Sequence, residues 1–169
     1  MHQLFLLRHA KAEHSSSISD HSRALTDKGR FDAGEIGKTM RLAGLTPDVV
    51  LVSTALRTQQ TLEALEQAGV WDEWPNIDAL PQLYMATPVQ ILSTLRDLPE
   101  TVRSVLVVGH NPGVHSLALQ LAGDQPPAAE FERLQHGYPT ATLSEFLITG
   151  PWRGLGTTGS SNLKRLLPA

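Results

Sequence analysis

The stretch "LFLLRHAKAEH" (residues 4–14) passes within a few positions from apolar to basic side chains. It opens with four consecutive apolar residues, which is typical of a strand covered on both faces of a sheet. Arg8 and His9 follow directly, and a protein interior does not accept such groups without partners. We therefore expect the strand to leave the core at its carboxyl end, where it presents a guanidinium and an imidazole to a negatively charged group.

Two later segments have the same apolar character and are also expected to form buried strands. They are "DVVLVS" (residues 48–53) and "SVLVVG" (residues 104–109), both rich in Val or Leu without polar alternation. A further strand is expected over residues 142–149. The segment "GLGTTGSSN" (residues 154–162) has the composition of a flexible loop.

Segments with the periodicity of helices separate these strands. The first helix is expected to follow Thr26 as its N-cap and to end at Gly44, and the second to span residues 54–68. The third is expected to begin after Thr87, and the fourth after Asn111, the cap in "HNPG". Alternating strands and helices predict an α/β layered domain with a mainly parallel sheet.

Length and composition limit the classes of protein to consider. The 169 residues suffice for a single domain, residues 1–169, with its own core. The net charge of −3 argues against a general nucleic-acid binder, and the absence of cysteine excludes disulfides, thiolate metal sites and a cysteine nucleophile. No apolar run approaches the roughly 20 residues that span a bilayer, and no signal peptide is recognisable. We therefore expect a cytoplasmic protein with no nucleic-acid or membrane partner.

Basic and imidazole side chains follow three of the predicted strands. Arg8 and His9 follow the first, Arg57 lies in the first turn of the helix after the second, and His110 follows the strand at residues 104–109. Ligands of open parallel sheets bind beyond the carboxyl ends of the strands, so these four side chains are expected to converge. Arginine forks and helix N-termini bind phosphate oxygens. Because no carboxylate belongs to this set, a phosphate dianion is the expected occupant.

The chain contains seven histidines, which raises the question of a metal site. His110 and His115 lie five positions apart, unlike two ligands on one face of a helix, and no HExxH motif or carboxylate cluster accompanies them. We therefore expect neither a metal nor another cofactor.

Four blocks in order carry a resemblance to a known family: "LFLLRHAKAE", "LVSTALRTQQT", "LYMATP" and "VLVVGHNPG". Together with "SDHSRALTDKGR" they resemble the histidine phosphatase superfamily, and more narrowly its small SixA-type phosphohistidine phosphatases. The resemblance covers about residues 4–149. It implies a phosphoglycerate mutase-like fold, a three-layer α/β/α sandwich with a mostly parallel central sheet.

The resemblance also implies roles for individual residues. His9 would be the nucleophile that forms a phosphohistidine intermediate, and Arg8, Arg57 and His110 would form the phosphate pocket. Arg23 of "SRALT" matches a family arginine near that pocket. Elementary chemistry agrees, since a neutral imidazole is a competent nucleophile. The charges of Arg8 and Arg57 are expected to lower the pKa of His9, and arginines and His110 can neutralise a phosphoryl group without a metal.

The expected position of a general acid bears on the substrate. Many superfamily members carry a carboxylate after the third strand, but here Gln82 stands where a Glu is expected. An alkoxide leaving group needs a proton in the transition state, whereas imidazole leaves as a neutral ring if its other nitrogen is protonated. The sequence therefore favours a phosphoramidate or an activated phosphate over an ordinary alcohol monoester. The hypothesis that follows is that the substrate is phosphohistidine of a protein. Glu13 and Asp20, on the loop after the first strand, stay open as alternative acids.

Two other functions stay open at this point. One is a broad-specificity phosphatase of the same superfamily that acts on small phosphate monoesters. The other is an inactive module that binds phosphate. In each case the expected partner is a phosphorylated molecule.

Overall fold

The computed structural model describes residues 1–169, and its centre is a six-stranded sheet with the order β3-β2-β4-β1-β5-β6. Strands β1 to β4 run parallel to one another, whereas β5 is antiparallel to β1 and β6 is antiparallel to β5. The prediction of a mostly parallel sheet is thereby confirmed. The strands are β1 (His2–Arg8), β2 (Val49–Ser53), β3 (Asn76–Leu80), β4 (Ser104–Gly109), β5 (Leu143–Ile148) and β6 (Ser161–Leu167).

Five α-helices connect and cover the strands: α1 (Asp27–Leu42), α2 (Leu56–Gln67), α3 (Pro88–Arg96), α4 (Gly113–Leu121) and α5 (Ala128–His136). Two predicted caps are confirmed. The hydroxyl of Thr26 accepts the backbone N–H of Gly29 at 2.9 Å. Thr87 and Gln90 form a reciprocal capping box at the start of α3.

Helices cover both faces of the sheet, which confirms the three-layer sandwich. Alternate side chains of β1 point to opposite faces: Leu4 and Leu6 belong to one apolar cluster, and Phe5 and Leu7 to the other. The first cluster includes side chains of α3, α4 and α5, and the second includes side chains of α1 and α2. Because residues 4–7 of β1 are buried, the partly exposed polar residues of this strand lie near its two ends, Gln3 at the amino end and Arg8 at the carboxyl end.

The structure differs from the sequence predictions in its outer elements. Strand β3, at the edge of the sheet, and helix α5 were not predicted, and β6 begins inside the stretch expected to be a loop. Four of the five residues of β3 are exposed, so this strand lacks the apolar run that marks the central strands. The prediction that Asn111 caps α4 is wrong, because α4 begins at Gly113 and Pro112 occupies the N-cap position. The side-chain amide of Asn111 donates instead to the carbonyl oxygen of Tyr138 at 2.9 Å.

Strand β6 runs in the same direction as β1 and ends at the same level as the carboxyl end of β1. Leu7 of β1 pairs with Leu143 of β5, and Leu143 pairs with Leu167 of β6. The last residues of β6 thus lie two strands away from the last residues of β1.

The start of α4 packs closely against the segment that leads into α3. A Cβ atom at position 113 would lie 2.0 Å from the carbonyl oxygen of Ala86, so this approach requires Gly113. The contact joins the segment after His110 to the segment that carries Tyr84 and Met85.

None of the helices combines the length and the apolar character that crossing a lipid bilayer would require.

Candidate active site

The three central parallel strands bring the predicted site residues to one edge of the sheet. Strand β4 lies between β1 and β2, and Arg8 is level with Gly109. Arg8, His9, Arg57, His110 and Arg23 all line one cavity of about 260 Å³. A larger hollow of about 440 Å³ beside α5 contains none of these five residues. The structure thus places the predicted set together.

His9 is held with one ring nitrogen committed to the backbone. Its Nδ1 lies 2.7 Å from the carbonyl oxygen of Ala10 and donates to it, which leaves the lone pair on Nε2. The backbone N–H of Ala141 donates to the carbonyl oxygens of Arg8 and His9, both at 3.1 Å. Ala141 adopts φ +58°, an unusual conformation for a residue other than glycine. The loop around Ala141 therefore fixes the backbone that carries the imidazole.

The two imidazoles of the site are neutral at pH 7. Burial is the main cause that lowers the pKa of His9 to about 4. The hydrogen bond to Ala10 acts in the opposite direction and raises this pKa, whereas the charges of Arg57 and Arg8 lower it further. Burial, followed by the charge of Arg57, lowers the pKa of His110 to about 3. The arginines lower the pKa of His9 as the sequence predicts, but burial lowers it more. The ring centroids lie 5.3 Å apart, close enough for both rings to contact one phosphoryl group.

The Ser53 hydroxyl is the hydrogen-bond partner of one ring nitrogen of His110. The Ser53 hydroxyl oxygen accepts the backbone N–H of Ala55 at 3.3 Å and lies 2.8 Å from Nε2 of His110. If the hydroxyl proton is directed to Nε2, the His110 proton resides on Nδ1, which is buried and has no partner in the protein. His110 then has one N–H left as a donor for a ligand oxygen.

Arg57 is a buried cation whose partner is Asp20. Its side chain is 2% exposed, NH1 donates to the carbonyl oxygen of Asp20 at 2.7 Å, and NH2 donates to Oδ2 of the same residue at 3.0 Å. Arg8 is half-buried, and its NH1 donates to the carbonyl oxygen of Tyr138 at 3.0 Å. Both guanidiniums are therefore held by contacts with the protein on at least one side.

The expectation that no carboxylate lies among these cations is wrong. Oδ1 of Asp20 accepts Nε of Arg23 at 3.0 Å, and Oδ2 accepts the Tyr84 hydroxyl in addition to Arg57. The hydrogen bond from Tyr84, followed by those from the two arginines, holds the pKa of Asp20 well below its usual range. The sequence leaves Asp20 open as an acid but does not predict its ion pairs with the arginines, because it lies eleven positions beyond His9 on an irregular loop.

Of the two acids left open by the sequence, only Asp20 reaches the cavity. Glu13 contributes its carbonyl oxygen, which accepts NH1 of Arg23 at 2.8 Å. Gln82, in the block where a carboxylate is expected, is exposed and does not line the cavity.

Tyr84 is a second site residue that the sequence analysis did not single out. Its ring contacts those of His110 and His21, with centroids 5.5 and 4.8 Å away, and the guanidinium carbon of Arg57 lies 5.9 Å from its centroid. The block "LYMATP" was noted, yet only the structure shows that its tyrosine reaches the carboxylate of Asp20.

Other polar residues complete the rim. Lys11 and His14 line the same cavity, and His14 also lines a shallower hollow with Ser15 and Ser16. No cluster of three or more His, Cys, Asp or Glu side chains is placed to hold a metal ion.

Known proteins share this arrangement of strands and sequence blocks. Residues 4–81 match the family described as the histidine phosphatase superfamily (branch 1). The phosphohistidine phosphatase SixA of Escherichia coli K12 is 34% identical over 128 residues, which cover 74% of this chain and 78% of that protein. The chain belongs to the histidine phosphatase superfamily.

Solved structures narrow the assignment within the histidine phosphatase superfamily. A candidate phosphohistidine phosphatase SixA from Nakamurella multipartitia superposes with a TM-score of 0.84 at 28% identity, covering 98% of this chain and 94% of that one. The protein histidine phosphatase SixA complexed with tungstate superposes with a TM-score of 0.76 at 25% identity, covering 97% and 95%. The chain is thus a SixA-type histidine phosphatase, a hydrolase with the phosphoglycerate mutase-like fold.

Because the imidazoles of His9 and His110 are buried in this histidine phosphatase, we expect both to titrate at unusually low pH. Only the neutral ring has a free lone pair, and a lowered pKa keeps the ring neutral further into the acid range. We expect NMR titration of labelled histidines to show His9 with a midpoint near 4 and His110 near 3. The spectrum of His9→Gln identifies the His9 signal. Titration of either ring between about pH 6 and 7, the ordinary range of histidine, would contradict the burial argument.

Proposed function

We propose that this phosphatase removes the phosphoryl group from phosphohistidine of a protein through a covalent intermediate on His9. The observation that carries the proposal is the orientation of the His9 ring. Nδ1 donates to the carbonyl oxygen of Ala10, so Nε2 bears a lone pair inside a cavity lined by Arg8, Arg23 and Arg57. This is the arrangement that a histidine nucleophile requires.

The first step transfers the phosphoryl group to the enzyme. Nε2 of His9 attacks phosphorus while the P–N bond of the substrate breaks, and its electron pair stays with the departing imidazole. Arg8, Arg23, Arg57 and the N–H of His110 bind the equatorial oxygens, where charge is spread in the transition state. His9 keeps its proton on Nδ1 throughout.

The second step releases phosphate. Water attacks phosphorus, the P–N bond to His9 breaks, and the electron pair returns to Nε2. The phosphate product retains the oxygen and both protons of the water. His9 thereby returns to its starting state with Nδ1 bonded to Ala10.

The absence of a suitable acid favours phosphohistidine over an alcohol monoester. The one carboxyl group in the cavity, that of Asp20, has a pKa below its usual range and is ionised. An alkoxide would therefore have to leave without a carboxylic acid as its proton donor. A phosphohistidine ring protonated at its other nitrogen leaves neutral and needs none. The relatives named as phosphohistidine phosphatases, and the tungstate complex of one of them, support this substrate class and an oxyanion site.

Two matched substrates test the proposal. A phosphohistidine peptide and a phosphoserine peptide of otherwise identical sequence are compared at pH 7, close to the ordinary pKa of an imidazole, so that part of the phosphohistidine is protonated at its other ring nitrogen. We expect kcat/KM for phosphohistidine to exceed that for phosphoserine by about 10²-fold or more, the usual contribution of a general acid. Equal or faster turnover of phosphoserine would instead support a broad-specificity phosphomonoesterase. Turnover of neither, with phosphate still bound, would support the inactive module that binds phosphate.

A further inference from the structure

The carboxylate of Asp20 occupies the donors that a phosphoryl group would use. Oδ1 lies 3.0 Å from both Nε and NH2 of Arg23. Oδ2 accepts NH2 of Arg57 at 3.0 Å, and it also accepts the Tyr84 hydroxyl. A planar carboxylate between two guanidiniums resembles two oxygens of a phosphoryl group in charge and spacing.

The main chain of Asp20 strengthens this contact. NH1 of Arg57 donates to the carbonyl oxygen of Asp20 at 2.7 Å, so both terminal nitrogens of this buried guanidinium bond to one residue. The third nitrogen, Nε, is buried without a partner. A ligand that binds both terminal nitrogens of Arg57 must therefore replace contacts made by Asp20.

Asp20 is placed where it can move without disturbing the core. Its side chain is 50% exposed, and the short 3₁₀ turn that it begins, Asp20–Ser22, contains no buried residue. The preceding residues 13–19 are exposed as well. Displacing the carboxylate thus exposes no apolar surface, and its cost is limited to the hydrogen bonds that it makes.

We propose that Asp20 is an internal competitor for the phosphoryl site, which releases Arg57 and Arg23 when the substrate binds and bonds to them again as product phosphate leaves. The exchange is favourable for a phosphoryl dianion, since it brings more negative charge to the arginines than the carboxylate does. The hydrogen bonds of Asp20 that must be broken weaken the binding of substrate and product alike. For a phosphatase this prevents tight retention of inorganic phosphate. The inference rests on the proposed phosphate pocket, but it does not depend on which phosphorylated molecule is the substrate.

The competing interpretation is that Asp20 positions the two arginines for catalysis. The two roles predict opposite signs. A competitor, once neutralised, leaves the arginines free, so phosphate binds more tightly. A positioning residue, once neutralised, leaves the arginines misplaced, so phosphate binds more weakly.

Equilibrium binding of inorganic phosphate, measured by calorimetry, separates the two roles. We expect Asp20→Asn to tighten phosphate binding about tenfold, because charge-assisted hydrogen bonds are strong and partial exposure reduces their effect. KM should fall with the phosphate Kd, while kcat does not rise. The control is Asp72→Asn, which removes the same charge from an exposed ion pair with Arg41 and should leave phosphate binding unchanged.

A second variant tests the proposal independently, in case Asp20→Asn does not fold. Tyr84→Phe removes one donor to Asp20 and leaves the charge of the cavity unchanged, so it should tighten phosphate binding by a smaller factor. Unchanged or weaker phosphate binding in Asp20→Asn, or in Tyr84→Phe should Asp20→Asn not fold, overturns the proposal. Because the readout uses inorganic phosphate, that result would leave phosphohistidine specificity to be decided by the peptide comparison.

Discussion

Replacing His9 by alanine should reduce kcat by a factor of about 10⁴ or more, since loss of a nucleophile removes the covalent pathway altogether. His9 is 8% exposed and contributes one side-chain hydrogen bond, to its own neighbour Ala10. The variant should therefore fold. The loss should appear in kcat with any phosphorylated substrate, because the attacking Nε2 atom is missing whichever group leaves.

The same experiment can trap the intermediate. Wild-type enzyme mixed with a substrate labelled in the phosphoryl group and quenched in base should carry label on His9, and His9→Ala should carry none. The matched control is His136→Ala, which removes an exposed imidazole from α5 and should retain normal activity. If His9→Ala kept more than a tenth of the wild-type rate, another group would have to be the nucleophile.

Replacing Arg57 by lysine should lower kcat/KM by about 10² to 10³, although the positive charge is retained. The guanidinium of Arg57 is buried, and its two terminal nitrogens bond to Asp20 in a fork. An ammonium group is a single point of charge on a flexible stem, so it cannot present two parallel N–H donors to the oxygens of a phosphoryl group.

Steady-state kinetics with a chromogenic phosphate ester measure this loss, and circular dichroism checks the fold. Arg41→Lys is the control, because Arg41 is half-exposed and pairs with Asp72 on the surface. We expect that variant to match the wild type. An Arg57→Lys enzyme within threefold of wild type would show that charge alone, and not the fork, is what the site needs from this residue.

The central strands and the site residues that follow them could be predicted, because strands buried on both faces have recognisable apolar sequences. Strands β1, β2 and β4 are covered on both faces, so each appears as an unbroken apolar run, and the polar residues just after them must lie at one edge. That reasoning places Arg8, His9, Arg57 and His110 together, as the structure does.

The outer half could not be predicted because partial exposure and irregular backbone leave no such signature. Strand β3 is mostly exposed, and β6 mixes buried and exposed residues at the other edge. Asp20 and Tyr84 lie on irregular segments whose paths no periodicity encodes. The clue to Asp20 comes from the structure: Arg57 is buried, a buried cation needs a counter-charge, and Asp20 provides it.

Strand β6 ends on the same side of the sheet as the carboxyl end of β1, and this has a practical consequence for labelling and immobilisation. A purification tag or fluorophore attached beyond Leu167 would emerge near the level of Leu7, one residue before Arg8. A label joined before His2 would emerge at the opposite edge, beside Ile148. Tethering this enzyme next to His2 should therefore leave the cavity open to a bulky ligand, whereas tethering beyond Leu167 would crowd the cavity.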